Sequence, residues 1–171
     1  MAHLSLLCLG PFQAALDGNP VVGFESSKVR ALLVYLAMEA DRPHPREVLA
    51  GLLWPSRSDQ DARSNLRYAL SNLRHAVGDH LSSRPLLSVT RDTLQFNLSS
   101  AHWIDAAAFS ELLDYRAAQS TSESVDRLER AAALYRGCFL EGFSLGSAPF
   151  EEWVLLKREQ LNRKMLSGLR S

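Results

Sequence analysis

The sequence predicts an α+β domain over residues 1–98 followed by an all-α region over residues 102–171. Three observations carry this expectation. Short apolar segments separated by Gly, Pro and Asn turn signals open the chain. Three stretches with helical apolar spacing follow and run into a segment of period-2 alternation. Beyond residue 105 only helical periodicity remains.

The elements follow in order. His3 to Leu9 reads as a strand broken by Gly10-Pro11. Gln13 to Leu16 reads as a second strand, with a hairpin turn at Asp17-Gly18-Asn19, whose residues tolerate positive φ. A third short strand is expected at Val21 and Val22. Ser26 or Ser27 caps a first helix whose apolar face is Val29, Leu32, Leu33 and Leu36, ended by Asp41-Arg42-Pro43. A second helix starts near Pro45, a residue suited to the first helical position, and buries Val48, Leu49, Leu52 and Leu53.

The third helix carries the most information. Ser58 with Asp61 resembles a capping box. Ala62, Leu66, Leu70, Leu73 and Val77 form its core stripe, and Gly78 its stop. Ser64, Arg67, Tyr68, Ser71, Arg74 and His75 lie on the other side, with Arg63, Asn65 and Asn72 on the flanks. No acid occurs between residues 62 and 78. A hairpin follows, with Leu87 and Val89 on one arm, Leu94, Phe96 and Leu98 on the other, and Arg91-Asp92 at its turn. Period-2 alternation directly after such a helix is the trace of a wing. Ser99-Ser100-Ala101 marks the expected junction. Three helices follow: one capped by Asp105 with Phe109, Leu112 and Leu113; one near 123–137 with Leu128, Ala131, Leu134 and Tyr135; and one from Pro149 with Trp153, Leu156, Leu161 and Met165. These make a partial helix–turn–helix array, as expected of the N-terminal part of a longer protein or of a face that packs on the first domain or on another copy.

Composition bounds the function. The 171 residues are 46% hydrophobic and 22% charged, in the range of soluble globular proteins. No apolar run reaches the ~18 residues that span a bilayer, and Met1-Ala2-His3-Leu4 is not a secretory start. Cys8 and Cys138 sit among apolar residues, as free thiols of a reducing cytoplasm do. Net charge is zero, yet residues 62–91 hold five arginines (63, 67, 74, 84 and 91) against one acid, Asp79. A basic stripe on a neutral body is enough for a module that reads a DNA groove.

The chemistry of that stripe suits duplex DNA. A helix fits the major groove, arginine pairs with guanine O6 and N7 or with phosphate, asparagine pairs with adenine, and serine and tyrosine hydroxyls hold phosphates. Arg91, at the hairpin tip, is placed for the neighbouring minor groove. Enzyme classes find no support. The five histidines are dispersed, no glycine-rich phosphate loop occurs, and Asp59/Asp61 and Glu151/Glu152 are ordinary helix-start acids. No catalytic residue, metal or cofactor is expected.

The run Leu53-Trp54-Pro55, then Ala62 to Gly78, resembles the signature of the bacterial transcriptional activator domain proteins, which include the SARP antibiotic-pathway regulators. Their pattern is L-W followed by A-R-x-x-L-x-x-x-L-x-x-L-R-x-A-L-G. Leu6 to Phe12, Asp105 with Phe109, Tyr135-Arg136-Gly137 with Glu141-Gly142, and Glu152-Trp153 with Arg158 resemble further landmarks of that family, in the right order. The resemblance implies an OmpR-type winged helix followed by a TPR-like helical region. It also implies promoter binding, often as a homodimer, and recruitment of RNA polymerase. Carried to this sequence, it places DNA contact at Arg63, Asn65, Arg67, Tyr68, Ser71, Asn72 and Arg74, and at Arg91 in the hairpin. The competing expectation is a protein–protein interaction module whose winged helix docks a protein, which the neutral net charge permits.

Overall fold

The computed structural model describes residues 3–79, 83–114 and 121–170. Its elements are β1 (Leu4–Leu7), β2 (Gln13–Leu16), β3 (Asn19–Pro20), α1 (Ser27–Met38), β4 (His44–Pro45), α2 (Arg46–Leu53), α3 (Asp59–Ala76), β5 (Leu87–Val89), β6 (Thr93–Phe96), β7 (His102–Ile104), α4 (Asp105–Asp114), α5 (Thr121–Leu134) and α6 (Ala148–Arg170). The architecture is mixed α/β followed by a helical part. Among the described residues the strands form two sheets, ordered β3-β2-β1-β7 and β4-β6-β5.

The first hairpin turns on Asp17 and Gly18, both at positive φ (52° and 82°), so that Leu16 faces Asn19 and Ala15 faces Pro20. Pairing therefore begins two residues earlier than the apolar pair Val21-Val22 suggests. Pro20 is tolerated because β3 is a sheet edge, and Val22 is left 89% exposed.

In α1 the expected face is buried, and so are Ala31, Val34, Tyr35 and Ala37. Pro45 precedes α2 in extended conformation (φ −60°, ψ 139°) rather than opening it, because it also pairs with Thr93 of β6. Leu49 and Leu53 are buried, but Val48 points outward and is 54% exposed. The last carbonyls of α2 are satisfied from elsewhere: the Ser147 hydroxyl donates to Leu52 O at 2.7 Å and the Lys28 ammonium to Leu53 O. Lys28 also lies 5.2 Å from the Trp54 ring centroid. Burial, and secondarily Arg57, pushes its pKa below the usual lysine value.

The third helix follows its sequence expectation closely. Ser58 accepts from the Asp61 N–H at 3.2 Å, and Ala62, Leu66, Leu70, Leu73 and Val77 are all buried. β5 and β6 pair antiparallel with Leu87 opposite Phe96 and Val89 opposite Leu94. Leu98 lies beyond the last paired residue and is 61% exposed, so it is no part of the buried arm.

The chain divides into two compact units. One comprises Met1–Ser5, Ala14–His102 and Ser144–Glu151; the other comprises Leu6–Gln13, Trp103–Phe143 and Glu152–Ser171. In the first, α1 and α2 pack on α3, and β4 and β6 lie beside them. In the second, the buried Asp105 carboxylate accepts the N–H groups of Cys8 (2.7 Å), Leu9 (3.0 Å) and Ala106 (2.7 Å). Burial raises its pKa, opposed by those N–H groups and by Arg136. Leu9 bridges Phe139 antiparallel, and the Arg158 guanidinium donates to Phe139 O and Leu140 O. The helix expected near 123–137 stops at Leu134, because the following residues pair with the strand end instead. Leu156 is 57% exposed, whereas Phe150, Val154 and Leu161 of α6 are buried. A side-chain carbon on Gly168 would meet the terminal methyls of Leu113 and Leu128 at 2.9 and 3.0 Å, so a larger residue there would make these leucines shift. Both cysteines are free.

Candidate functional site

α3 turns by about 100° per residue, which places Arg63, Arg67 and Arg74 within about 40° of one another beside its buried stripe. Ser71 and Ser64 come next around the wheel, then Tyr68, with Asn65 and Asn72 on the far flank. The structure thus separates residues that share a helix into two groups with different surroundings.

Arg67 is exposed, and its guanidinium donates to the Ser64 hydroxyl at 3.3 Å. Arg74 is half-buried, and its buried Nε finds no acceptor among the described residues. Among the described residues no carboxylate comes within ion-pair distance of either. Arg63 approaches Glu47 of α2 at 4.0 Å, with both side chains largely in solvent, where such a pair is weak. Tyr68 stands 72% exposed and Ser71 is exposed, so the hydroxyls face outward. Asn65 is half-buried.

Asn72 requires a correction. Its amide donates to Gly23 O at 2.9 Å and its carbonyl accepts from the Glu25 N–H at 3.0 Å. Both functional ends are committed to the loop before α1, so Asn72 is a structural strap and leaves the outward-facing set.

The hairpin stands next to the arginine flank. Its tip, Thr90 to Thr93, is closed by the Thr90 N–H donating to Thr93 O at 3.0 Å. The Thr90 hydroxyl accepts from Asp92 N–H (3.3 Å) and Thr93 N–H (2.9 Å), so the tip closes with no residue there at positive φ. Arg91 is exposed at this tip. An open cleft of about 950 Å³ is lined by Arg46, Arg63, Ser64, Arg67, Arg91 and Thr93 among others, with Glu47, Asp59 and Asp92 the acids at its rim. A second groove of about 470 Å³ is lined by Arg46, Arg67, Leu70, Ser71, Arg74, His75 and Val89, without a carboxylate. Arginine and hydroxyl donors beside the acid-free second groove supply groups that can bond an anion.

Arg46 is the residue that sequence reasoning missed. It opens α2, yet lines both clefts, because β4 pairs with β6 and brings the start of α2 against the hairpin tip. Its guanidinium donates to Thr90 O at 2.8 Å and its backbone N–H to Asp92 O at 2.9 Å. Nothing local signals this: Pro45-Arg46-Glu47 reads only as a helix start.

Among the described residues no group of three His, Cys, Asp or Glu is placed to hold a metal, and no helix is long and apolar enough to cross a membrane. His80 lies outside the described residues.

Fold and surface together describe a mixed α/β domain presenting an arginine-bearing helix beside a hairpin, joined to a helical part. The proteins it resembles are regulators. The chain is 36% identical over 70 residues to the transcriptional regulatory protein EmbR of Mycobacterium tuberculosis, a match covering 41% of this chain and 18% of that protein. EmbR of Mycobacterium bovis matches to the same extent. The solved structure of M. tuberculosis EmbR in complex with a low affinity phosphopeptide aligns with 98% of this chain and 44% of that one, with a TM-score of 0.76 and 23% identity. That likeness establishes the fold. The chain matches 18% of the length of the EmbR sequences and 44% of the solved EmbR chain, and no family model matches.

Proposed function

We propose that this chain is a sequence-specific DNA-binding transcription regulator, in which residues 1–98 act as an OmpR-type winged helix and the helical region after residue 102 as a TPR-like activator segment. α3 is the major-groove reader and the β5–β6 hairpin the wing. The observation that carries this reading is the carboxylate-free groove beside α3, with Arg67 exposed and Arg74 unpaired by any acid of the described residues. A surface that docks a protein has no reason to exclude carboxylates over this length of helix, whereas one facing phosphates does. The transcriptional role of the EmbR relatives agrees with it. The contacting residues are Arg63, Arg67, Tyr68, Ser71 and Arg74, with Asn65 at the margin and Arg91 at the wing tip. RNA polymerase and a second copy of the chain are the protein partners this role calls for, and cytoplasmic residence follows from it. The reading involves no enzymatic step.

Selection of bound sequences from a random duplex library tests it. The reading expects an enriched motif that Arg67→Ala relaxes at one or two positions. Recovery of unenriched sequences by the parent protein removes it.

A further inference from the structure

The hairpin tip has an unusual internal arrangement. The Thr93 N–H, which would ordinarily bond the Thr90 carbonyl across the turn, bonds the Thr90 hydroxyl instead. That leaves the Thr90 carbonyl free for Arg46 Nη2. The Arg46 backbone N–H holds Asp92 O on the other side of the tip. One residue of α2 therefore grips the tip before and after Arg91, while Arg91 itself stays exposed. Arg46 also lines the groove with Arg67 and Arg74. A half-buried guanidinium with its Nε unsatisfied is a poor choice for holding a hairpin by packing alone. It suits a group that fixes geometry between two surfaces.

We infer that Arg46 is the positioning residue of the DNA-reading surface: it sets where the hairpin tip, and so Arg91, stands relative to α3. The inference rests on the DNA-binding reading above, but its first consequence appears in the free protein. The grip through the side chain restrains Thr90 to Thr93, so Arg46→Met, which keeps the apolar stem and removes the donor, frees the tip without unpacking α2. In the complex, an Arg46 that acts through Arg91 gives non-additive losses, whereas an Arg46 that acts only as a further cation gives additive ones.

The experiment compares parent, Arg46→Met, Arg91→Ala and the double variant. Amide hydrogen exchange is read in the free proteins and affinity is read for the duplex selected by the parent. The expected result is about tenfold faster exchange at Asp92 and Thr93 in Arg46→Met with α3 amides unchanged, and a double variant no weaker than the weaker single one. Unchanged exchange at the tip, or losses that add, overturns the assignment. A parent protein that selects no duplex defeats the functional reading instead, and the exchange rates alone then decide whether Arg46 holds the tip.

Discussion

Three polar residues of α3 show how differently neighbours on one helix can be used. Arg67 is free to reach outward, Arg74 is half-buried with an unmet N–H, and Asn72 is tied at both ends of its amide. The spacing of the arginines and the lack of acids were legible, because both are local properties of a helix. The strap at Asn72 was not, because its partners Gly23 and Glu25 lie 49 and 47 residues away. Asn72→Ala is expected to cost about 1–3 kcal/mol of stability, since it strands two backbone groups, and to leave the selected DNA motif unchanged. Chemical denaturation and repeat selection check the two halves. Asp105 gives a pH signature. Its folded pKa is raised by burial above the ordinary 3.8, so its contribution to stability is complete below 3.8 and is lost as pH rises through the folded value. Asp105→Asn places an amide among N–H donors and is expected to cost about 1–3 kcal/mol. Unfolding midpoints measured against pH should show the gap between parent and variant widening as pH is lowered toward 3.8.

Elements with strong internal patterning were readable: α3 with its Ser58 cap, the Asp17-Gly18 turn and the β5–β6 pairing each depend on residues close in sequence. Ser58→Ala is expected to cost about 1 kcal/mol in thermal unfolding, the usual value of a lost N-cap bond. Elements defined by remote partners left no trace. β4 is two residues long and exists only because β6 pairs with it, and β7 joins the end of the first sheet at a place where the sequence shows a simple junction. The outward position of Val48 has the same origin: the buried side of α2 is set by α1 and α3, and Leu49, Ala50 and Leu53 meet it without Val48.

At the scale of the whole chain, zero net charge conceals the local excess of arginine over residues 62–91. Nonspecific attraction to DNA should therefore be weak, and the salt dependence of binding should come from the few arginines of α3 and the hairpin. About 0.9 decades of affinity per decade of salt is expected for each phosphate contacted. Removing one phosphate-contacting arginine should lower the slope by about that amount in a salt titration. The two units were only partly legible. The exchange of Leu6–Gln13 and Ser144–Glu151 between them depends on pairings such as Cys8 and Leu9 with Asp105, and Ser147 with Leu52, which join residues far apart in sequence. The most direct measurement is the affinity of Arg67→Ala and Arg74→Ala for the selected duplex and for a scrambled one. A loss of about 1–3 kcal/mol on the selected duplex by at least one of them, larger than its loss on the scrambled one, is the predicted result. Parent-like affinity of both variants for the selected duplex would contradict α3 as the reading helix.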